Sequence, residues 1–174
     1  ATLGARQARE PAHLHPVELP TPFAVGPITV YLADEPGEPL TLVDTGPVHP
    51  RTWAALEAGR ASLGTAPARL ERIIVTHAHV DHFGLAAQLV AASGAQVWTH
   101  PWNVPVLADY EADRERTTLF YAELLRRAAI PAEVMETVGW ATKGMKKFAR
   151  QVEISTTLEE GDTLRLAGCD WQVL

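Results

Sequence analysis

The chain has 174 residues, with 15 Lys and Arg against 21 Asp and Glu, a formal net charge of −6 and a pI of about 5.6. Its length fits one modest domain or part of a larger one, and a hydrophobic content of 47% is enough for a packed core. The acidic balance argues against a nucleic-acid-binding surface, which is normally basic. No apolar run approaches the roughly 18 residues of a membrane span, and no charged-then-apolar signal pattern opens the chain, so we expect a cytoplasmic protein without membrane contact.

The N-terminal part predicts an irregular arm followed by a hairpin. Residues 1–16 carry prolines and charges without a periodic pattern, which favours a loose arm. His13 and His15 imitate a pair of metal ligands, but without a flanking strand and helix we interpret them as surface residues. The apolar runs at 28–32 and 40–43 are separated by a turn-forming segment rich in Pro and Gly, which predicts a β-hairpin.

The next segments alternate between helix and strand patterns. Residues 50–63 place apolar side chains three and four positions apart, as on one face of a helix, and Gly64 suits the end of that helix. An apolar run at 73–76 predicts a buried third strand. A second helix is predicted at 83–92 and a further strand at 96–99.

The segment between the third predicted strand and the second predicted helix carries most of the functional information. It reads Thr-His-Ala-His-Val-Asp-His-Phe-Gly and holds four candidate metal ligands, which are His77, His79, Asp81 and His82. Imidazole nitrogen and carboxylate oxygen suit a borderline divalent ion such as zinc. The alternative is a loop of exposed polar residues, which the spacing and the flanking elements disfavour.

The spacing of these four residues favours two neighbouring metal positions. His77 and His79 are two residues apart and can point the same way on a turning loop. Asp81 and His82 are adjacent, lie just before the predicted helix and cannot easily join the first pair. In two-metal hydrolytic sites the ions lie roughly 3.5–4 Å apart and clamp one water between them. Zinc lowers the pKa of its bound water to about 7, which makes hydroxide available under mild conditions.

The segment at about 102–150 turns helical and forms a predicted helical insertion. Local packing explains its apolar pattern. The alternative is a lid above the metals, with Tyr121 or Trp140 touching the substrate. His100, which precedes the segment, is interpreted as structural rather than as part of a cleft. The three lysines of the chain predict a solvated helix face or, alternatively, a pocket for an anionic substrate tail; they are Lys143, Lys146 and Lys147.

Three short strands are predicted after the helical insertion, at 156–158, 164–166 and 171–174, with a turn at 167–170 between the last two. Cys169 in that turn is the only cysteine and is interpreted as structural. No intrachain disulfide can form, which allows a reducing compartment without requiring one.

The motif from His77 to His82 resembles the His-x-His-x-Asp-His signature of the metallo-β-lactamase superfamily. The Leu-Val-Asp-Thr-Gly segment at 42–46 is similar to a second landmark of that family, and the resemblance covers the order of elements from about 17 to 97. It implies an α+β fold in which residues 1–174 form the N-terminal part of one domain. That part would be half of an αβ/βα sandwich with the helical insertion.

The resemblance also implies roles for the site residues. His77 and His79 would bind one metal, and Asp81 and His82 the other. Asp81 is the candidate catalytic residue, and Asp44 would support the metal ligands from behind. The expected ions are two Zn²⁺ in the complete protein, with iron or manganese as alternatives.

In this family a bridging carboxylate and further histidines follow the part that the chain resembles. We therefore expect a longer functional protein, or a second chain that supplies the remainder. The C-terminal half or another copy would then cover an open face of the sheet. This chain alone would be inactive.

Several functions are compatible with the resemblance. The favoured one is a hydrolase that uses a metal-bound hydroxide on an ester, thioester or lactone, with a glyoxalase II-like thioesterase as the best single hypothesis and a small molecule as substrate. An iron-dependent persulfide-type dioxygenase is an alternative, because the same ligands can hold iron. A non-catalytic interaction or assembly module is the alternative from another class. The acidic balance and short chain disfavour the nucleases, and His79 disfavours the flavo-diiron branch, which usually has glutamate there.

Overall fold

The structure, a computed structural model, describes residues 12–131, 133–136 and 144–174. The strands in these ranges are β1 (Leu14–Leu19), β2 (Ile28–Ala33), β3 (Thr41–Val43), β4 (Arg72–Val75), β5 (Gln96–Thr99), β6 (Thr156–Thr157), β7 (Thr163–Leu166) and β8 (Cys169–Gln172). The helices are α1 (Pro50–Ser62), α2 (Val80–Phe83), α3 (Ala86–Ser93), α4 (Val104–Ala108) and α5 (Tyr110–Arg127). Short 3-10 turns occupy Pro67–Arg69, Pro101–Asn103 and Lys146–Phe148. None of the helices in these ranges is long and apolar enough to cross a membrane.

Six strands form one mixed sheet in the order β1-β2-β3-β4-β5-β6. The first three strands pair antiparallel, and β3 to β6 pair parallel. Helical crossovers join the parallel strands, as parallel pairing requires. β7 and β8 form a separate antiparallel hairpin. The predicted α+β class is confirmed, and so is the predicted hairpin of the runs at 28–32 and 40–43, which is formed by β2 and β3.

β1 corrects the expectation of a loose arm over residues 1–16, of which 1–11 lie outside the described residues. Val17 and Leu19 point into the core and Glu18 points outward, and the strand pairs with β2 along its whole length. The polar outward face hid this alternation, and the strand depends on its pairing partner. His15 lies within it.

One face of the sheet packs against the helices. Strand residues 30, 32, 42, 73 and 97 point to this face and are almost completely buried, as are Leu56 of α1 and Leu89 of α3. Because side chains alternate along a strand, every second residue points to the other face. These alternate residues include Tyr31, Val43 and Ile74, and they form the open face.

The β7–β8 hairpin covers part of the open face and leaves a groove. Leu166 and Ala167 pack against Ala33 at one side. Between hairpin and sheet remains a cavity of about 690 Å³, here called the open-face groove. Its wall is mostly apolar, and one end reaches Thr76 and His100 at the edge of the sheet.

Arg72 of β4 anchors the hairpin to the sheet. Its Nη2 donates to the carbonyl of Arg165 at 3.0 Å, and its Nε donates to Thr41 Oγ1 at 2.9 Å. Its guanidinium also lies 4.9 Å from the centre of the Trp98 ring. Glu38 contributes by accepting a hydrogen bond from Arg165 Nε at 2.8 Å. The hairpin is therefore held by polar contacts at one end of the groove.

Further predicted elements differ from the structure in their bounds. The helix predicted at 83–92 is divided into α2 and α3, so Asp81 lies in the first turn of a helix and not before it. β8 begins at Cys169 because Ala167 and Gly168, with φ of 52° and 75°, form the tight turn alone.

The helical insertion is interrupted by turns. Trp140 and Lys143 lie outside the described residues.

Candidate metal centre

Two neighbouring parallel strands bring the candidate site residues to the same edge of the sheet. Asp44 follows β3 and Thr76 follows β4, and the Asp44 N–H donates to the Ile74 carbonyl at 2.8 Å. Asp44 is buried and has a left-handed backbone, with φ of 61°. A non-glycine residue in this region carries strain that surrounding contacts must hold in place. The contacts of its carboxylate show what holds it.

The Asp44 carboxylate connects the two strand ends to α2. Its Oδ1 accepts hydrogen bonds from the Thr76 N–H at 2.9 Å and from Thr76 Oγ1 at 3.0 Å. Its Oδ2 lies 2.8 Å from Thr76 Oγ1 and 2.8 Å from His82 Nδ1. Asp44 thus contacts one of the candidate ligands from behind. Its supporting role in metal binding stays a prediction.

The structure brings all four candidate ligands together. His77 Nε2 lies 3.1 Å from His79 Nδ1, and His82 Nε2 lies 3.7 Å from a carboxylate oxygen of Asp81. The rings of His77 and His82 are 4.0 Å apart between centres, so the two pairs are neighbours. These are the pairs that the spacing in the sequence favours. Their role as metal ligands stays a prediction.

His77 and His82, whose rings are neighbours and which are here called the inner histidines, have opposite pKa shifts. Partial burial lowers the pKa of His77, and repulsion from His82 and His79 adds to this effect. The hydrogen bond to Asp44 raises the pKa of His82, against the effect of burial. A neutral imidazole is the form that binds a metal. His77 therefore offers its lone pair readily at neutral pH, whereas a proton competes for His82.

The distances within each pair fit a shared ion. Two ligand atoms on a tetrahedral zinc, each at about 2.0–2.2 Å, lie about 3.4 Å from each other. The 3.1 Å and 3.7 Å separations fall on either side of that value. However, no group of three or more His, Cys, Asp or Glu side chains in the described part of the chain is arranged to hold one ion. Among the described residues, the candidate ligands are therefore arranged in pairs.

Residues 24–162 match the sequence model of the Metallo-beta-lactamase superfamily. The chain belongs to this superfamily. Among curated relatives, it is 33% identical over 115 residues to "Probable metallo-hydrolase YqjP" of Bacillus subtilis, covering 66% of this chain and 35% of that protein. It is 30% identical over 131 residues to "Hydroxyacylglutathione hydrolase" of Albidiferax ferrireducens, covering 74% of this chain and 44% of that protein. The chain spans less than half the length of these two relatives.

Solved structures agree with this membership. The metallo-beta-lactamase family protein TTHA1429 of Thermus thermophilus matches with a TM-score of 0.75 at 25% identity, over 93% of this chain and 51% of that one. BJP-1 of Bradyrhizobium japonicum, a subclass B3 metallo-beta-lactamase, matches with a TM-score of 0.60 at 21% identity, over 92% of this chain and 47% of that one. The second likeness shows the fold alone. The chain therefore corresponds to about half of the superfamily fold.

Sequence reasoning missed three residues that shape this superfamily site. Thr76 bridges Asp44 and His77, with its Oγ1 3.0 Å from His77 Nδ1. Asn103 donates to Thr99 Oγ1 at 2.9 Å and to the Thr76 carbonyl at 3.4 Å, so it fixes the start of the motif loop. Only Thr76 had a local signal, because it directly precedes the first histidine of the motif.

Gly84 is the third missed residue and fixes α2 from behind. A Cβ on Gly84 would lie 2.3 Å from the Phe148 carbonyl, 2.5 Å from the Val80 carbonyl and 2.7 Å from Pro47 Cα. All three are backbone atoms, which cannot move aside cheaply. The close approach therefore requires glycine two residues after His82.

The helical insertion contributes support behind α2. Tyr110 packs edge-on against Phe83 with 5.4 Å between ring centres, and its hydroxyl donates to the Met145 carbonyl at 3.0 Å. Phe148 packs against Phe23. Tyr121 is exposed on α5. The lid over the metals stays a prediction that none of these contacts supports.

The four remaining histidines make local contacts, and one of them, His49, accepts a hydrogen bond from the Arg51 N–H at 3.3 Å at the start of α1. His100 accepts a hydrogen bond from the Trp102 N–H at 3.2 Å through Nδ1, as a cap of the following turn does, and it also lines the open-face groove. His13 and His15 keep 43% and 30% of their side chains exposed and both contact Asp34. Both are therefore partly exposed, and their interpretation as surface residues stays a prediction, with His15 lying in β1.

Proposed function

We propose that the protein is a metal-dependent hydrolase that cleaves an ester, thioester or lactone of a small molecule, with a thioester of the glyoxalase II type as the favoured substrate. The observation that carries the proposal is the pairing of ligand atoms at the sheet edge, 3.1 Å within the His77–His79 pair and 3.7 Å within the Asp81–His82 pair. The relative named as a hydroxyacylglutathione hydrolase supports the thioester class.

Each residue of the site has a task in this proposal. His77 and His79 would hold one ion, and Asp81 and His82 a second, with zinc as the favoured metal and iron or manganese as alternatives. A bound divalent ion supplies hydroxide at neutral pH and polarises the carbonyl of the substrate. The carboxylate of Asp81 can also accept a proton beside the second ion. Asp44 orients His82 through its Nδ1.

Two ligands per ion are fewer than the three or more that a catalytic zinc normally has from protein. We propose that a C-terminal half or another copy of the chain supplies the others. The same partner would cover the open face of the sheet, where Tyr31 is 40% exposed beside the open-face groove. A cytoplasmic location remains part of the proposal, and a single cysteine is compatible with it.

The test is a metal and substrate survey of the protein in its longest natural form. Bound metal is measured by elemental analysis, and turnover is measured with a hydroxyacylglutathione thioester, an aryl ester, a lactone and a β-lactam. We expect His79→Ala to lose metal and most hydrolysis together, whereas the matched control His13→Ala should keep both. Full hydrolysis by the His79→Ala variant would rule out the proposal.

A second candidate, the non-catalytic assembly module, is favoured by one observation. No three-ligand group is formed by the described residues. The same survey separates the two functions. A protein that binds metal substoichiometrically, turns over none of the four substrates and associates with a partner would support the module.

A further inference from the structure

We infer that Thr76 is a positioning residue that sets the ring tautomer of His77, so that one carboxylate, Asp44, orients both inner histidines. Asp44 would act directly on His82 and through the Thr76 hydroxyl on His77. The inference rests on the proposed function only in that the orientation of the rings is taken to serve metal binding. The orientation itself follows from the hydrogen bonds.

The direction of each hydrogen bond follows from what each atom can donate. An ionised carboxylate only accepts, and a threonine hydroxyl has one proton to give. Thr76 Oγ1 lies 2.8 Å from one oxygen of Asp44 and 3.0 Å from the other, so its proton must point to Asp44. The lone pairs of Oγ1 remain for His77 Nδ1, which lies 3.0 Å away. Nδ1 of His77 must therefore carry the proton.

The same reasoning fixes His82. Its Nδ1 lies 2.8 Å from Asp44 Oδ2, so Nδ1 donates to the carboxylate. In both neutral rings the proton is then on Nδ1, and Nε2 presents a lone pair. Nε2 of His77 faces His79, and Nε2 of His82 faces Asp81. Each lone pair therefore points into one of the two ligand pairs.

The arrangement couples the two ligand pairs. Groups that hold the second ring nitrogen of a metal-binding histidine typically change metal affinity by 10–100-fold when they are removed. Here a single buried carboxylate holds one histidine of each pair, because Thr76 extends its reach. Removing the hydroxyl should disturb the His77 pair alone. Removing the carboxylate should disturb both pairs.

The chain allows a matched pair of variants. Thr76→Val keeps the shape of the side chain and removes the hydroxyl, whereas Thr76→Ser keeps the hydroxyl. Long-range ¹⁵N–¹H spectra of the metal-free protein, recorded above the histidine pKa range, report the tautomer of each ring. We expect protonated Nδ1 in both His77 and His82 of the unmodified protein and of Thr76→Ser. In Thr76→Val, His77 should gain the Nε2-protonated form while His82 stays unchanged and serves as the internal control for folding.

Zinc titration gives the second measurement. We expect Thr76→Val to weaken zinc binding at the His77–His79 pair by about 10-fold or more, and Thr76→Ser to stay within about 3-fold. An unchanged His77 tautomer in a folded Thr76→Val variant would overturn the inference, even if zinc affinity fell, because the hydroxyl would then act by packing alone. Absence of hydrolysis in every variant would count against the proposed function only, since the tautomer is read without metal or substrate.

Discussion

The two faces of the six-stranded sheet differ in how completely they are covered. On the helix-covered face, Leu42 and Ile73 are fully buried among residues of α1, α2 and α3. On the open face, Tyr31 remains 40% exposed, and the hairpin covers only part of the surface. The chain corresponds to about half of the superfamily fold, and only the core between the sheet and its helices is fully packed. The candidate metal centre lies at the edge where the two faces meet.

This difference explains why the α2 part of the candidate site is fixed by more contacts than the motif loop. Contacts from the helix-covered side fix α2 through Gly84 and Phe83. The motif loop between Thr76 and His79 faces the open side, where Thr76 and His79 are exposed. Stability should therefore depend mainly on the first face, and completion of the metal site on what joins the second.

The largest expected effect compares two adjacent isoleucines of β4. Ile73 is fully buried on the helix-covered face, whereas Ile74 is partly buried on the open face. Ile73→Ala should lower the free energy of unfolding by about 2–5 kcal/mol, because it leaves a cavity in a packed layer. Ile74→Ala, the matched control, should cost about 1 kcal/mol or less, since little packing is lost. Urea unfolding measures both, and equal losses would show that the open face is covered in solution.

A second effect tests how tightly the helix-covered side holds α2. Gly84→Ala places a Cβ against three backbone atoms, so it should destabilise the protein by about 3 kcal/mol and displace the end of α2. Gly144→Ala is the control, because its Cβ would meet nothing within 4 Å and its backbone needs no left-handed conformation. Thermal unfolding and zinc titration follow the two variants. A fully stable Gly84→Ala variant would mean that this contact is looser than the structure shows.

The difference between the faces also explains which features the sequence could predict. The motif was predictable because its candidate ligands are close in sequence and lie between a clear strand and helix. β1 was not, because the polar residues His15 and Glu18 and the proline at 16 mask the alternation until β2 pairs with it. At the break between α2 and α3, the Leu85 N–H donates to the carbonyl of Gly46, which is distant in sequence, at 2.9 Å. Local patterns carry the ligand types, whereas contacts between distant segments carry their orientation.

The contact between Thr76 and Asp44 likewise could not be predicted from the local sequence. A threonine before the motif has many functions in proteins, and its sequence position gives none of them. Only the meeting of the β3 and β4 ends places the Asp44 carboxylate within 2.8 Å of the hydroxyl. Parallel pairing of Val43 with Ile74 creates that meeting.

The smallest expected effect concerns pH at the edge between the faces. The hydrogen bond to Asp44 raises the pKa of His82 above its ordinary value, so the protonated ring stabilises the folded state. This contribution is fully present below the unfolded pKa of about 6.5 and is lost as the pH rises through the folded pKa. The pKa of His77 is lowered, mainly by burial, so its contribution has the opposite sign and is lost as the pH falls. In the unmodified protein, the two opposite dependences of the free energy of unfolding on pH partly cancel.

Single variants should separate the contributions of His77 and His82 to the pH dependence of stability. In metal-free protein with chelator, His82→Gln should remove the loss of stability on going from about pH 6 to about pH 8, whereas His77→Gln should make that loss steeper. Urea midpoints across this range measure both changes. Asp44→Asn should resemble His82→Gln, because it removes the cause of the raised pKa. If the two histidine variants shift the slope in the same direction, then Asp44 does not distinguish the rings. The two ligand pairs would then be electrostatically equivalent, in contrast to the unequal cover of the two faces that meet at this edge.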